Sequence, residues 1–376
     1  MDNFNVYPLF DVAPVKAAGS YVYNQEGTEF LDFYGGHAVI SIGHGHPHYL
    51  DKLSKQASSI GFYSNSIVNP LQKAYAKKLG EMSGYEDYQL FLVNSGAEAI
   101  ENAIKLAAFH NQRKKILVFE KGFHGRTSMA VQATDNPNIQ TSLDNNDRII
   151  RIPLNDTEQL SEVLNDEISC VIVEGIQGVG GINVPSSDFL SLLREKCDAC
   201  GALLILDEIQ SGFGRTGKFF AHQHSGIKPD LITVAKGMGN GFPIGGVLIN
   251  PKIEPRFGML GTTFGGNHLA CAAGLAVLEV IEKENLIENA FEKGEILRSE
   301  LESIDQIKEV RGNGLMLAAD FDYPIKSLRK DLVYQQHLFT GASSNPHTLR
   351  LLPPLSITEK EIDLFIQKLK DGIAQV

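Results

Sequence analysis

Several short stretches of this chain put reactive side chains where a buried apolar run stops. Asp207 ends ALLILD, and Lys236 follows LITVA and opens into the glycine-rich GMGNGFPIGG. Asn94, Ser95, Gly96 and Ala97 close YQLFLV and start a helical pattern, while Phe123, His124, Gly125 and Arg126 follow KILVFEKG. A lysine beside a hydrophobic run is partly desolvated, which favours the neutral, nucleophilic amine. A carboxylate there can hold a proton on a partner. A helix start offers free N–H groups and a positive dipole end to an anion. An aromatic can cover a planar ring, and an arginine can grip a carboxylate in a two-point fork. Each feature alone has an ordinary reading: a solvated lysine, a helix-capping aspartate, a turn, a surface loop. None of these explains why all should gather on one edge of a sheet.

A sheet is what the pattern predicts. Between residues 88 and 250 the chain alternates short apolar runs with helical stretches: YQLFLVN (88–94), KKILVFE (114–120), RIIRIPL (148–154), CVIVEGI (170–176), ALLILDE (202–208), LITVAKG (231–237) and GGVLIN (245–250). Runs apolar on both faces suit strands of a parallel sheet covered by helices on each side. AEAIENAIKLAAFHNQ carries apolar residues at 97, 100, 103, 104, 107 and 108, one helical stripe. The expected fold is α/β, with a mainly parallel seven-stranded sheet in a large domain over 46–267. Residues 1–45 would join 268–376 as a smaller α+β domain. In that last part the pattern predicts helices at 268–283 and 286–304, strands near 315–321 and 348–352, and a final helix capped by Thr358 and Glu361.

Composition sets the limits. Of 376 residues 43% are apolar and 21% charged, enough for a sizeable core. The formal charge of −11 disfavours nucleic acid. No run of about 18 apolar residues predicts a membrane helix, and MDNFNVYPLFDVAP lacks a basic start, so a cytoplasmic location is expected. Cys197 and Cys200 form a CxxC without a second pair, inside a helical pattern, so ordinary packing is expected rather than zinc.

In an open α/β sheet, ligands collect at the carboxyl ends of the strands. The groups found there suit pyridoxal 5′-phosphate. Its aldehyde needs an amine, Lys236. Its ring nitrogen stays protonated opposite a carboxylate, Asp207. Its phosphate suits the helix start at Gly96, and its ring an aromatic face, Phe123.

The chain also resembles the class III, fold-type I aminotransferases, in particular the acetylornithine and succinylornithine aminotransferases. The matching stretches are LDFYGGHAV…GHGHP, NSGAEAIENAIKLA, FHGRT, VEGIQGVGG, LLILDEIQSGFGRTG, ITVAKGMGNGFPIGG, GTTFGGNHLACAA and LRLLPPL, in family order. The resemblance implies Lys236 as the lysine that carries the cofactor as a Schiff base and Asp207 as the partner of its ring nitrogen. It implies that Ser95, Gly96 and Ala97 cradle the phosphate, that Phe123 stacks on the ring and that Gln210 reaches the ring oxygen. Thr263 is similar to a threonine that reaches the phosphate across a dimer interface, which implies a homodimer with shared sites. Arg126 resembles the arginine holding a distant substrate carboxylate, and Arg350 the one holding the α-carboxylate of glutamate or 2-oxoglutarate. His37 and Tyr7 are expected at the substrate pocket. The implied reaction moves the terminal amino group of an N-acylornithine to 2-oxoglutarate, as in arginine biosynthesis. Ornithine or 4-aminobutyrate aminotransferases are the alternatives within the class, and a nicotinamide-dependent oxidoreductase the rival outside it.

Two positions depart from the family. Val179 stands where QGE-GG has a glutamate that pairs with the arginine near the C-terminus, so Arg350 is expected to lack that partner. His37 replaces an isoleucine or tyrosine, and is expected to read the far end of the substrate, favouring an acidic acyl group such as succinyl. Other patterns are decoys. GFGRTG (212–217) fits G-x-G-x-x-G but does not join a strand directly to a helix, and His44, His46 and His48 alternate without helical spacing.

Overall fold

Each predicted apolar run folds as a strand in the computed structural model of the chain, which describes residues 1, 3–144 and 147–375. Asp2, Asn145, Asn146 and Val376, which fall within the expected domain spans, lie outside the described residues. The N-terminal segment forms β1 (Pro14–Ala18), β2 (Tyr21–Asn24) and β3 (Glu29–Asp32). The central runs form β4 (Gln89–Val93), β5 (Lys115–Phe119), β6 (Ile149–Ile152), β7 (Ile168–Glu174), β8 (Leu203–Asp207), β9 (Leu231–Val234) and β10 (Gly245–Ile249). They make one seven-stranded sheet in the order β4-β10-β9-β8-β7-β5-β6. Neighbours from β9 through β6 pair in parallel, whereas β10 runs antiparallel to both β9 and β4.

Strand alternation sorts the apolar side chains into two layers. Ile116, Val118, Cys170, Ile172, Leu203 and Ile205 pack on one face with Ile100, Ala103, Ile104 and Ala107 of the helix Gly96–Asn111. Leu117, Phe119, Val171, Val173, Leu204 and Leu206 pack on the other with Phe189, Leu190, Leu193 and Cys197 of the helix Ser187–Cys200. Cys200 ends that helix, and Cys197 and Cys200 are free thiols. With both faces covered, the carboxylates of Glu174 and Asp207 stand at the ends of β7 and β8, where chemistry concentrates.

The C-terminal part holds helices His268–Lys283, Leu286–Glu302, Lys326–Tyr334 and Glu359–Ile373. It also holds β11 (Ile307–Asn313), β12 (Met316–Phe321), β13 (Leu338–Phe339), β14 (Gly341–Ala342) and β15 (Thr348–Leu351). An antiparallel sheet runs β11-β12-β15-β14, and β13 joins β1, β2 and β3 by pairing in parallel with β3. The last helix begins as its sequence predicts: Thr358 Oγ1 accepts the Glu361 N–H, and Glu361 Oε2 accepts the Thr358 N–H at 2.7 Å.

The decoy motifs have structural work. In GFGRTG the buried Arg215 donates to the carbonyls of Leu315 and Pro353, tying the loop after β8 to the C-terminal part. Burial pushes its guanidinium down to about 9. His44, His46 and His48 bond three separate carboxylates, Asp32, Glu284 and Glu279. Among the described residues no group of His, Cys, Asp and Glu could hold a metal ion.

Candidate active site

The fold brings Gly96, Ala97, Phe123, Asp207, Gln210 and Lys236 to the wall of one cavity of about 230 Å³. They arrive from different strands: Gly96 and Ala97 follow β4, Phe123 follows β5, Asp207 ends β8 and Lys236 follows β9. Burial lowers the pKa of the Lys236 amine, with Asp207 and Glu174 opposing and Arg350 adding to the fall. Among the described residues its amine has no hydrogen-bond or ion-pair partner. Its backbone sits at φ 49°, a left-handed turn between β9 and Gly237, which breaks the extended path just as the side chain enters the pocket.

Asp207 does not stand alone. Its Oδ2 lies 2.7 Å from His124 Nδ1, and its Oδ1 accepts the Ile209 N–H at 3.0 Å. His124 is buried, which by itself disfavours the imidazolium. The hydrogen bond and charge of Asp207, helped by Glu174, outweigh that and raise its pKa. The next residue, Glu208, turns to the other side of the strand and is equally buried. It bonds His222 Nδ1 at 2.7 Å and the N–H groups of Ala221 and His222, while His222 Nε2 meets Tyr85 at 2.6 Å. Two carboxylate–histidine pairs thus fix the end of β8 back to back, and only the first lines the cavity.

The helix start is shaped for close approach. Ser95 caps the helix by accepting the Glu98 N–H at 3.2 Å, so its hydroxyl is engaged with the helix itself. First-turn N–H groups have no intrahelical partner, and Gly96 and Ala97 supply two of them at the cavity wall. A Cβ on Gly96 would come 2.8 Å from Ile209, and one on Gly125 2.9 Å from the Ala97 Cβ. Bulk at either position would fill the cradle. An unpaired amine, a carboxylate–histidine pair, an anion-binding helix start and an aromatic therefore share one cavity, and this set fits pyridoxal phosphate.

Other expected residues lie elsewhere. Arg350 is buried, donates to Gln210 Oε1 at 3.2 Å and to the Ala342 carbonyl, and meets no carboxylate among the described residues. Gln210 also donates to the His37 carbonyl at 3.2 Å, so both ends of its amide are occupied within the chain. His37 sits at φ 69° with its ring against Tyr34, whose hydroxyl it bonds. Burial, with Arg350 and Lys236, drives its pKa down to about 4. Arg126, Thr263 and Tyr7 are exposed and do not line the cavity of this chain. Sequence reasoning passed over Glu174, a carboxylate ending β7 on the cavity wall. The rule that singled out Asp207 after ALLIL would have found it after CVIV.

Comparisons with known proteins agree with this geometry. Residues 4–373 match the model of the family Aminotransferase class-III. Acetylornithine aminotransferase of Bacillus subtilis is 40% identical over 99% of this chain and 97% of that protein. Its counterpart in Aquifex aeolicus is 38% identical, over 98% of each. Among solved structures, ornithine aminotransferase from Toxoplasma gondii superposes with a TM-score of 0.91 at 29% identity, covering 100% of this chain and 92% of that one. A second structure of that enzyme is described with partial occupancy of pyridoxal phosphate at its active site. Acetylornithine aminotransferase from Elizabethkingia anophelis gives 0.86 at 33%, covering 100% and 96%. The chain belongs to the class III aminotransferases. It is a pyridoxal-phosphate-dependent transferase.

Proposed function

We propose that this enzyme moves the terminal amino group of an N-acylornithine to 2-oxoglutarate, releasing the semialdehyde and glutamate. The curated relatives named above act as support for the donor, and the cavity supports the chemistry. One observation carries the reading: an amine without a hydrogen-bond partner among the described residues, its pKa lowered by burial, lines the same cavity as a carboxylate–histidine pair. Bound there, pyridoxal phosphate supplies an electron sink for the pair released when the C–H bond next to the amine breaks.

This chain's residues do the rest. Lys236 Nζ, whose pKa burial lowers, takes the proton from the substrate carbon and carries it across the site. Asp207, held by His124, keeps the ring-nitrogen proton in place. The N–H groups of Gly96 and Ala97 hold the phosphate, and Phe123 covers the ring. Arg350, held in position by Gln210, offers its remaining N–H groups to the α-carboxylate of glutamate or 2-oxoglutarate. Arg126, exposed on the loop after β5, meets the distant carboxylate. Tyr7 and His37 border the substrate entrance. The neutral His37 ring offers a hydrogen bond rather than a charge to the acyl group.

The site is completed by a second copy. Thr263 is exposed beside Phe264, and in a homodimer it would reach the partner's phosphate. Residues 46–267 form the large domain, and 1–45 with 268–376 the small one, a division favoured by the β3–β13 pairing. No described helix is long and apolar enough to cross a membrane, and we place the enzyme in the cytoplasm.

The test assays acetylornithine, succinylornithine, ornithine and 4-aminobutyrate side by side with 2-oxoglutarate, in the wild type and Lys236→Ala. An acylornithine should be the best donor, and the variant should lose transfer. Full-speed transfer by Lys236→Ala would overturn the mechanism; a preference for free ornithine would overturn the donor.

A further inference from the structure

One ionisable group lining the cavity has no part in the mechanism above. Glu174 is the last residue of β7 and sits in register with Asp207 of β8. It is buried. Its Oε1 accepts the N–H of Phe123 at 2.9 Å, and its Oε2 accepts the N–H of Gly178 at 2.8 Å. Phe123 belongs to the loop after β5 and Gly178 to the turn after β7, so one carboxylate bonds both loops that wall this side of the pocket. Each oxygen accepts one backbone N–H, a charge-assisted bond whenever the carboxylate is ionised.

We propose that Glu174 is a positioning residue for amino transfer, clipping the Phe123 loop to the Gly178 turn and placing a second carboxylate group against the His124–Asp207 pair. The proposal rests on the reading that this cavity holds pyridoxal phosphate. Its geometric part is the clip. The Phe123 backbone is pinned by Glu174, and the ring that covers the cofactor hangs from that backbone. Gly178 is pinned at the same point, and a Cβ there would overlap the Gln210 side chain, so the turn also sets the space in which Gln210 reaches Arg350.

Its electrostatic part follows from the neighbours. Glu174 interacts with His124 and Asp207, and it in turn acts on Lys236 and Arg350. Burial pushes its carboxyl up to about 7, with Asp207 pushing the same way against His124 and the two backbone N–H groups. Deprotonated, it accepts both N–H bonds and favours imidazolium at His124. Protonated, it puts a hydrogen on one oxygen and weakens one side of the clip.

The experiment uses Glu174→Gln and Glu174→Asp, each stripped of cofactor and titrated with pyridoxal phosphate, then loaded and followed by visible absorbance against pH. Glu174→Gln keeps the shape, removes the charge and sets an N–H group against a backbone N–H. Its cofactor affinity should fall about tenfold, roughly 1.4 kcal/mol, and its absorbance midpoint should move. Glu174→Asp keeps the charge on a shorter arm, so its midpoint should return towards the wild type while affinity stays reduced. Wild-type affinity and midpoint in Glu174→Gln would overturn the proposal, as would equal midpoint shifts in both variants, which mark packing alone. Should Glu174→Gln not fold, hydrogen exchange in the cofactor-free wild type decides. The amides of Phe123 and Gly178 should exchange more slowly than neighbouring loop amides, and unprotected exchange at both would rule out the clip. A wild type that binds no pyridoxal phosphate would sink the functional reading instead, leaving the exchange result to judge Glu174 separately.

Discussion

Gly178, Gln210, His37 and Arg350 form a chain of contacts in which each residue limits the next. A side chain at 178 would occupy the place of the Gln210 amide, which donates to the His37 carbonyl and accepts from Arg350. Gly178→Ala should therefore push Gln210 aside and take from Arg350 one of its two hydrogen bonds, leaving the one to the Ala342 carbonyl. We expect the KM for 2-oxoglutarate to rise about tenfold, near 1.4 kcal/mol, with thermal stability little changed; an unchanged KM in steady-state kinetics would contradict this. His37 gives a second expectation. Its folded pKa of about 4 lies below the ordinary imidazole value of 6.5, so its charge appears only as pH falls towards 4 and is absent at neutrality. The KM for the amino donor should then show no inflection from His37 between about pH 6 and 8. An inflection there that disappears in His37→Gln would refute a neutral ring. At this scale the sequence was readable where a polar residue interrupts an apolar run, as at Asp207 and Lys236. It was silent on the His124–Asp207 bond, because loop and strand meet only once the sheet has formed. It pointed to Gln210 through the resemblance but was silent on its partners, which come from the distant residues 37 and 350.

The strands of the large sheet were legible because burial on both faces leaves a continuous apolar signature. What the pattern did not disclose is that β10 runs against its neighbours. GGVLIN reads the same in either direction, and the reversal is set by the short connection from β9 through the Lys236 turn. β11 escaped for the opposite reason: Lys308, Glu309 and Arg311 give IKEVRGN the look of a solvated segment, although it edges a sheet. Caps, by contrast, are local chemistry and could be read directly. Thr358 closes a reciprocal box with Glu361 at the start of the last helix, whose Ile362, Phe365, Ile366 and Leu369 are buried. Thr358→Ala should cost about 1 kcal/mol of stability, seen in urea unfolding, and leave cofactor affinity unchanged because this helix start does not line the cavity. A drop in affinity larger than the drop in stability would show that the helix couples to the site.

Several large apolar side chains among the described residues of the whole molecule are exposed. Phe62 and Phe264 pack with ring centroids 5.2 Å apart, tilted by 47°, although 43% and 59% exposed, and Ile67 and Val68 are exposed at 58% and 75%. Neighbouring large apolar groups left in water mark a surface that another protein covers. Thr263 precedes Phe264 in the chain, so whatever covers the aromatic pair also meets the threonine. An isologous dimer, as proposed above, would satisfy both at once, because one two-fold axis repeats every contact and would carry each Thr263 towards the other copy's phosphate cradle. Phe264→Asp places a charge where the aromatic pair must be desolvated. Sedimentation should report a monomer at micromolar concentration, and the cofactor affinity of that monomer should fall at least tenfold, because the phosphate loses a donor from the second chain. A monomer that keeps full affinity and full amino-transfer activity would break the link between assembly and site. A dimer that persists would place the interface on another face.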